Sequence, residues 1–138
     1  MLARGGVMSI KGLLTNYRVL LVEDEYLLAL EIADAIERAG GAVAGPFPEC
    51  ARALPYATGG SVDAAVLNVK VRDGNTYPVT ILLPDAGIPF VFATGQSIAT
   101  EPPEWSAATW ISKPYEPEEL VRVLAGMLKE GTGQTSES

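Results

Sequence analysis

Five residues of this 138-residue chain are of types that could do chemistry together: Glu23, Asp24, Asn68, Thr94 and Lys113. Two adjacent carboxylates suit a hard divalent cation, which takes oxygen ligands and keeps several waters, and Mg²⁺ is the natural choice. A hydroxyl and an ammonium can grip the oxygens of a phosphoryl group whose remaining charge such a cation neutralises. Asn68 is the odd member, standing near the middle of "AAVLNVKVRDG", residues 64–74. An amide offers neither a nucleophile nor a charge. Singly, each residue has an ordinary structural reading: an acid before a helix is commonly a cap or a dipole partner, and a strand-end Asn commonly bonds its own backbone. What argues for a site is joint placement.

That placement depends on the elements. "RVLLVE" (18–23) is a short apolar run of the kind buried on both faces in a parallel sheet, and predicts the first strand. Leu28, Ile32, Ala35, Ile36 and Ala39 recur at helical spacing and predict a helix from Glu25 to Ala39, stopped by Gly40-Gly41. "GAVAG" before Pro46 and Pro48 predicts a short second strand, and "ECARALPYA" a second helix weakened by Pro55. "DAAVLNV" predicts strand three, residues 77–84 a short helix, "IPFVFAT" (88–94) strand four and "TWIS" strand five. Glu116 to Lys129 is an amphipathic helix with Leu120, Val121, Leu124 and Leu128 inward. Strands alternating with helices form a parallel sheet covered on both faces, where ligands gather beyond the carboxyl ends of the strands. Glu23 and Asp24, Asn68, Thr94 and Lys113 all stand at or just past such ends.

Between strands four and five the pattern breaks. "GQSIATEPPEWSA" holds two adjacent prolines and no helical period, so a loop is expected where a helix is due. Residues 1–17, with three glycines in the first dozen, read as a flexible arm, residues 18–130 as the one domain, and 131–138 as a disordered tail.

Composition narrows the class. The net charge of −7 speaks against nucleic acid or an anionic membrane as partner, and the absence of His removes it from any catalytic or metal role. A lone cysteine, Cys50, permits no intramolecular disulfide and reads as a small buried apolar residue. With no apolar stretch of about 18 residues and no signal-peptide pattern in "MLARGGVMSIKGLL", a cytoplasmic protein is expected.

"VLLVEDE", "AAVLNVKVRDG", "FVFATG" and "WISKPYEPEEL", in this order and spacing, resemble the receiver domain of two-component response regulators from about Arg18 to Lys129. The resemblance implies a flavodoxin-like (βα)5 fold with strand order 2-1-3-4-5, here with the fourth helix missing or replaced by a loop. It implies that Glu23 and Asp24 hold Mg²⁺, with Asn68 and the backbone carbonyl of Lys70 completing its shell. Thr94 corresponds to the switch hydroxyl, Lys113 to the ammonium that pairs with the acyl phosphate, and Trp110 to an aromatic that swings inward on activation. The Lys113-Pro114 bond is commonly cis in this family. "FATG" followed by a Pro-rich segment is similar to a single-domain subfamily marked by a Phe-Ala-Thr-Gly motif, although "QS" after Gly95 departs from it.

Asn68 stands where the resemblance requires the phosphoaccepting Asp. A carboxylate attacks phosphorus, whereas the amide nitrogen has its lone pair delocalised into the carbonyl. Losing that unit charge lowers Mg²⁺ affinity by about a decade or more, leaving the cation weak or absent. The expectation is a single-domain, non-enzymatic regulator in a phosphorelay, a pseudo-receiver or a silenced variant, acting by protein-protein interaction because no DNA-binding or enzymatic segment follows Lys129. Its partners would be a sensor histidine kinase, a phosphotransfer protein or another signalling protein, and its state a monomer or weak homodimer. The alternatives are an ordinary phosphoaccepting receiver whose Asp is substituted at position 68, and a flavodoxin-like binder of a small ligand. The last is handicapped by the absence of G-x-G-x-x-G after strand one.

Overall fold

A computed structural model describes residues 9–58, 60–83, 87–95 and 108–137. The order of elements is β1 (Arg18–Val22), α1 (Tyr26–Arg38), β2 (Ala42–Phe47), α2 (Cys50–Thr58), β3 (Ala64–Asn68), β4 (Lys70–Val71), β5 (Gly74–Asn75), α3 (Tyr77–Leu82), β6 (Phe90–Thr94), β7 (Thr109–Ser112) and α4 (Pro117–Glu137). Five strands form one parallel sheet in the order β2-β1-β3-β6-β7, which is the flavodoxin-like order expected from the resemblance. The additional pair, β4 and β5, is a small antiparallel hairpin that the periodicity did not reveal. The segment expected to replace the fourth helix, residues 95–107, lies outside the described residues from 96 onward.

The apolar runs behave as strands buried on both faces should. In β1, Val19 and Leu21 join a core layer with α1 and α4, while Leu20 and Val22 face the layer holding α2 and α3. The same alternation holds in β3 and β6: Val66, Val91 and Ala93 lie on the first side, Leu67 and Phe92 on the second. Fully burying an aliphatic side chain of this size stabilises a fold by about 1.5–3 kcal/mol, so these central strands anchor everything mounted at their ends. Edge strand β2 tolerates Pro46 because its outer side has no sheet partner. Its register against β1 shifts between Leu20 and Val22, and Gly45 there has φ +111°. A Cβ on Gly45 would lie 2.7 Å from the Leu21 carbonyl oxygen, so the kink requires glycine. Beyond it the Glu23 N–H donates to the Phe47 carbonyl at 2.9 Å, which fixes where β1 ends.

Ordered structure extends past both ends of the expected domain. The arm expected over residues 1–17 is, from Ile10 onward, part of the fold: Ile10 and Leu14 are buried against Ile36 and Ala39, and the Leu14 N–H donates to the Ala39 carbonyl at 2.9 Å. Ile10, Leu13 and Leu14 fall within a single turn, too short a stretch to show a sustained period, so pattern reading gave no sign of the burial of Ile10 and Leu14. At the other end α4 continues to Glu137, where a disordered tail was expected from residue 131. A helix already nucleated and packed through Leu120, Leu124 and Leu128 adds residues at little cost, even poor formers such as Gly131 and Gly133. No described helix is long and apolar enough to cross a membrane.

Candidate functional site: an acid pair closed by an amide

The carboxyl ends of β1, β3, β6 and β7 lie side by side in the sheet. Val22 pairs with Leu67, Asn68 with Ala93, and Thr94 with Ser112. This brings Glu23, Asp24, Asn68, Thr94 and Lys113 to one edge, as the strand reading required. The Lys113 N–H donates to the Thr94 carbonyl at 2.8 Å, so backbone hydrogen bonding itself ties two of these residues together.

Among the described residues Glu23 is the most enclosed acid, 3 % exposed. Burial drives its carboxyl above the ordinary carboxylate range; the Glu25 N–H, donating to Oε2 at 3.0 Å, and the Lys113 ammonium pull it back. Lys113 Nζ lies 3.2 Å from Glu23 Oε1 and 3.3 Å from Glu25 Oε1. The ammonium is thus held by two carboxylates. Glu25 was missed as its second partner, because a sequence shows that residue only as the start of a helix.

Asn68 sits at the centre. Its Nδ2 donates to Glu23 Oε2 at 3.2 Å, to Asp24 Oδ1 at 3.2 Å and to the Lys70 carbonyl at 2.7 Å. Its own backbone carbonyl accepts from Thr76 Oγ1 at 2.9 Å, and Thr76 is fully buried. The residues between, the β4-β5 hairpin, are clamped at the tip: Asp73 accepts from the N–H groups of Cys50 at 2.7 Å and Ala51 at 3.1 Å, capping α2. Those two bonds hold the Asp73 carboxyl below its usual range. Asp73 is a positioning residue that the "RDGN" turn signal located without revealing its partner.

The three oxygens that the resemblance gives to Mg²⁺, from Glu23, Asp24 and the Lys70 carbonyl, do converge. The point of convergence is taken by a nitrogen. Among the described residues no group of three or more acidic, Cys or His side chains is placed to hold a metal ion. With Asn68 oriented this way, the cluster does not fit a cation at its centre.

Thr94 is buried at the end of β6, one residue past the Asn68–Ala93 pair. Trp110 is half-buried and turned onto the sheet, its ring 4.6 Å from that of Phe92. The Lys113-Pro114 bond is cis, as the resemblance implied. Beside it a cavity of about 510 Å³ is lined by Glu25, Leu27, Leu28, Glu31, Lys113, Pro114 and Tyr115. The Tyr115 hydroxyl is enclosed with no hydrogen-bond partner among the described residues, and its acidity is suppressed first by burial and then by the charges of Glu23 and Glu25.

No family model and no curated protein matches the chain. Among solved structures it superposes on a response regulator receiver protein from Sinorhizobium medicae (TM-score 0.72, 20 % identity, covering 83 % of this chain and 96 % of that one). It also superposes on a CheY-like receiver domain from Methanospirillum hungatei (TM-score 0.73, 18 % identity, 86 % and 98 %). The fold is therefore that of response regulator receiver domains. A higher identity, 33 %, is shared with SdrG from Sphingomonas melonis, over 88 % of this chain and 99 % of SdrG, with a TM-score of 0.70.

Proposed function

We propose that this chain is the receiver module of a two-component or phosphorelay signalling system, and that Asn68 keeps it from ordinary aspartyl phosphorylation. The observation that carries the reading is the Asn68 amide standing among Glu23, Asp24 and Lys113 at the strand ends. In this reading Thr94 is the switch hydroxyl, Lys113 the ammonium, Trp110 the responding aromatic, and Glu23, Asp24 and the Lys70 carbonyl the oxygens of a cation cradle whose centre the Asn68 amide fills. Attack on phosphorus needs a free electron pair on an anionic oxygen, which an amide does not supply. Output then comes from protein-protein contact with a histidine kinase, phosphotransfer protein or other signalling protein, in the cytoplasm, as a monomer or weak homodimer, and without enzymatic activity of its own.

A second reading, an ordinary phosphoaccepting receiver whose Asp is replaced at position 68, is favoured by one observation: Thr94, Lys113 and the acid pair are all still grouped at one sheet edge. Both readings give the same result for the chain as it stands. Incubated with acetyl phosphate and Mg²⁺, the intact protein keeps its mass; a stable gain of one phosphoryl group would overturn the assignment of Asn68 as a blocked acceptor.

A further inference from the structure

The neighbours of the Asn68 side chain are all acceptors. Carboxylates and a backbone carbonyl offer lone pairs and no protons, so an amide oxygen placed among them would meet three like partial charges. Only the nitrogen can face Glu23 Oε2, Asp24 Oδ1 and the Lys70 carbonyl, and it lies 2.7–3.2 Å from all three. Its two protons serve three acceptors, so at least one is shared.

These contacts reach beyond the acid pair. Lys70 opens the β4-β5 hairpin, and the Asn68 amide pins the root of that hairpin through the Lys70 carbonyl. Thr76 closes the far end on the Asn68 carbonyl, and Asp73 locks the tip to α2. One side chain thus joins the ends of two strands, a hairpin and, through it, a helix. Gathering two carboxylates and a carbonyl around a single electropositive centre is what a hard cation does in an oxygen site.

We propose that the Asn68 amide is a built-in replacement for a divalent cation, holding Glu23, Asp24 and the β4-β5 hairpin in place so that ion binding and the observed amide position exclude each other. This rests on the receiver reading of the acid pair. It adds that the arrangement is independent of metal in the chain as it stands. Lys113 completes the replacement from the other side, supplying to Glu23 Oε1 the positive charge that the amide lacks.

The test is thermal unfolding of the full chain, Asn68→Ala and Asn68→Ser, each in EDTA and in about 10 mM MgCl₂. The parent chain should unfold within about 1 °C in the two buffers, whereas each variant should unfold lower in EDTA and rise by about 4 °C or more in Mg²⁺, as a vacated site filled well above its dissociation constant would. A parent chain that rises as much as the variants would show that amide and cation do not compete. Variants that fall in EDTA but ignore Mg²⁺ would show that the acids bind no ion, and the replacement reading would be abandoned. If the Ala variant does not fold, the Ser variant, which keeps one donor too short to bridge all three oxygens, gives the same comparison. Failure of the receiver reading is seen separately, in phosphorylation and kinase binding, which do not enter these melting temperatures.

Discussion

Asn68→Asp is expected to convert the chain from one that takes no phosphate to one that gains a single phosphoryl group from acetyl phosphate in millimolar Mg²⁺. The substitution is nearly isosteric, and it supplies the anionic oxygen that the amide lacks. In the receiver reading the other residues are already grouped: Thr94 at the end of β6, Lys113 tied by its backbone to Thr94, and two acids just past the end of β1. Preorganised charges of this kind are worth little in the ground state and several kcal/mol where charge develops in a transition state. The same change puts three carboxylates together, so without Mg²⁺ the variant should unfold at lower temperature than the parent. Intact mass with and without Mg²⁺ checks it. An Asp variant that stays unmodified would mean the site departs from a working receiver at more than one residue, and the silenced-receiver reading would lose its support.

Lys113→Ala is expected to destabilise the protein by about 2–3 kcal/mol at neutral pH, because removing one partner of a buried pair leaves the other charge uncompensated. The figure sits below the upper range for such pairs because Glu23 keeps two donors, the Glu25 N–H and Asn68 Nδ2. The deficit should depend on pH with a definite sign. Glu23 already binds its proton more tightly folded than unfolded, since burial raises its pKa. Stability from this group therefore increases as pH falls from the folded value toward the unfolded one. Without the ammonium the folded value moves further up, so the penalty is largest at and above neutral pH and shrinks as Glu23 takes up its proton. Urea midpoints at several pH values measure this, and Glu23→Gln in the Lys113→Ala background should recover much of the loss. A deficit constant with pH would show that Glu23 is not the group left unpaired.

The fold was legible in sequence because its strands are apolar runs buried on both faces and its helices carry clear one-sided periods. "TWIS" coincides with β7, and "DAAVLNV" contains the whole of β3. Strand ends were enough to bring Glu23, Asp24, Asn68, Thr94 and Lys113 to one end of the sheet without any knowledge of side-chain positions. What lay beyond reach was set by side-chain contact. The convergence of three acceptors on Asn68 Nδ2, the grip of Glu25 on Lys113 and the capping of α2 by Asp73 depend on reach and rotamer, not on period. The burial of Leu14 depends on a turn folding back against α1, and five residues of "IKGLL" are too few to carry a periodic signal for it.

Phosphate-free recognition of a signalling partner is open to direct measurement by pairing the purified chain with the autophosphorylated histidine kinases and phosphotransfer proteins of its source organism. Binding and transfer of labelled phosphate are read on the same samples. Saturable binding to at least one of these proteins is expected, with no label passing to this chain and with affinity unchanged when the partner is unphosphorylated. Transfer of label to the chain, or binding to none of them, would rule out phosphate-free recognition by a chain blocked at Asn68.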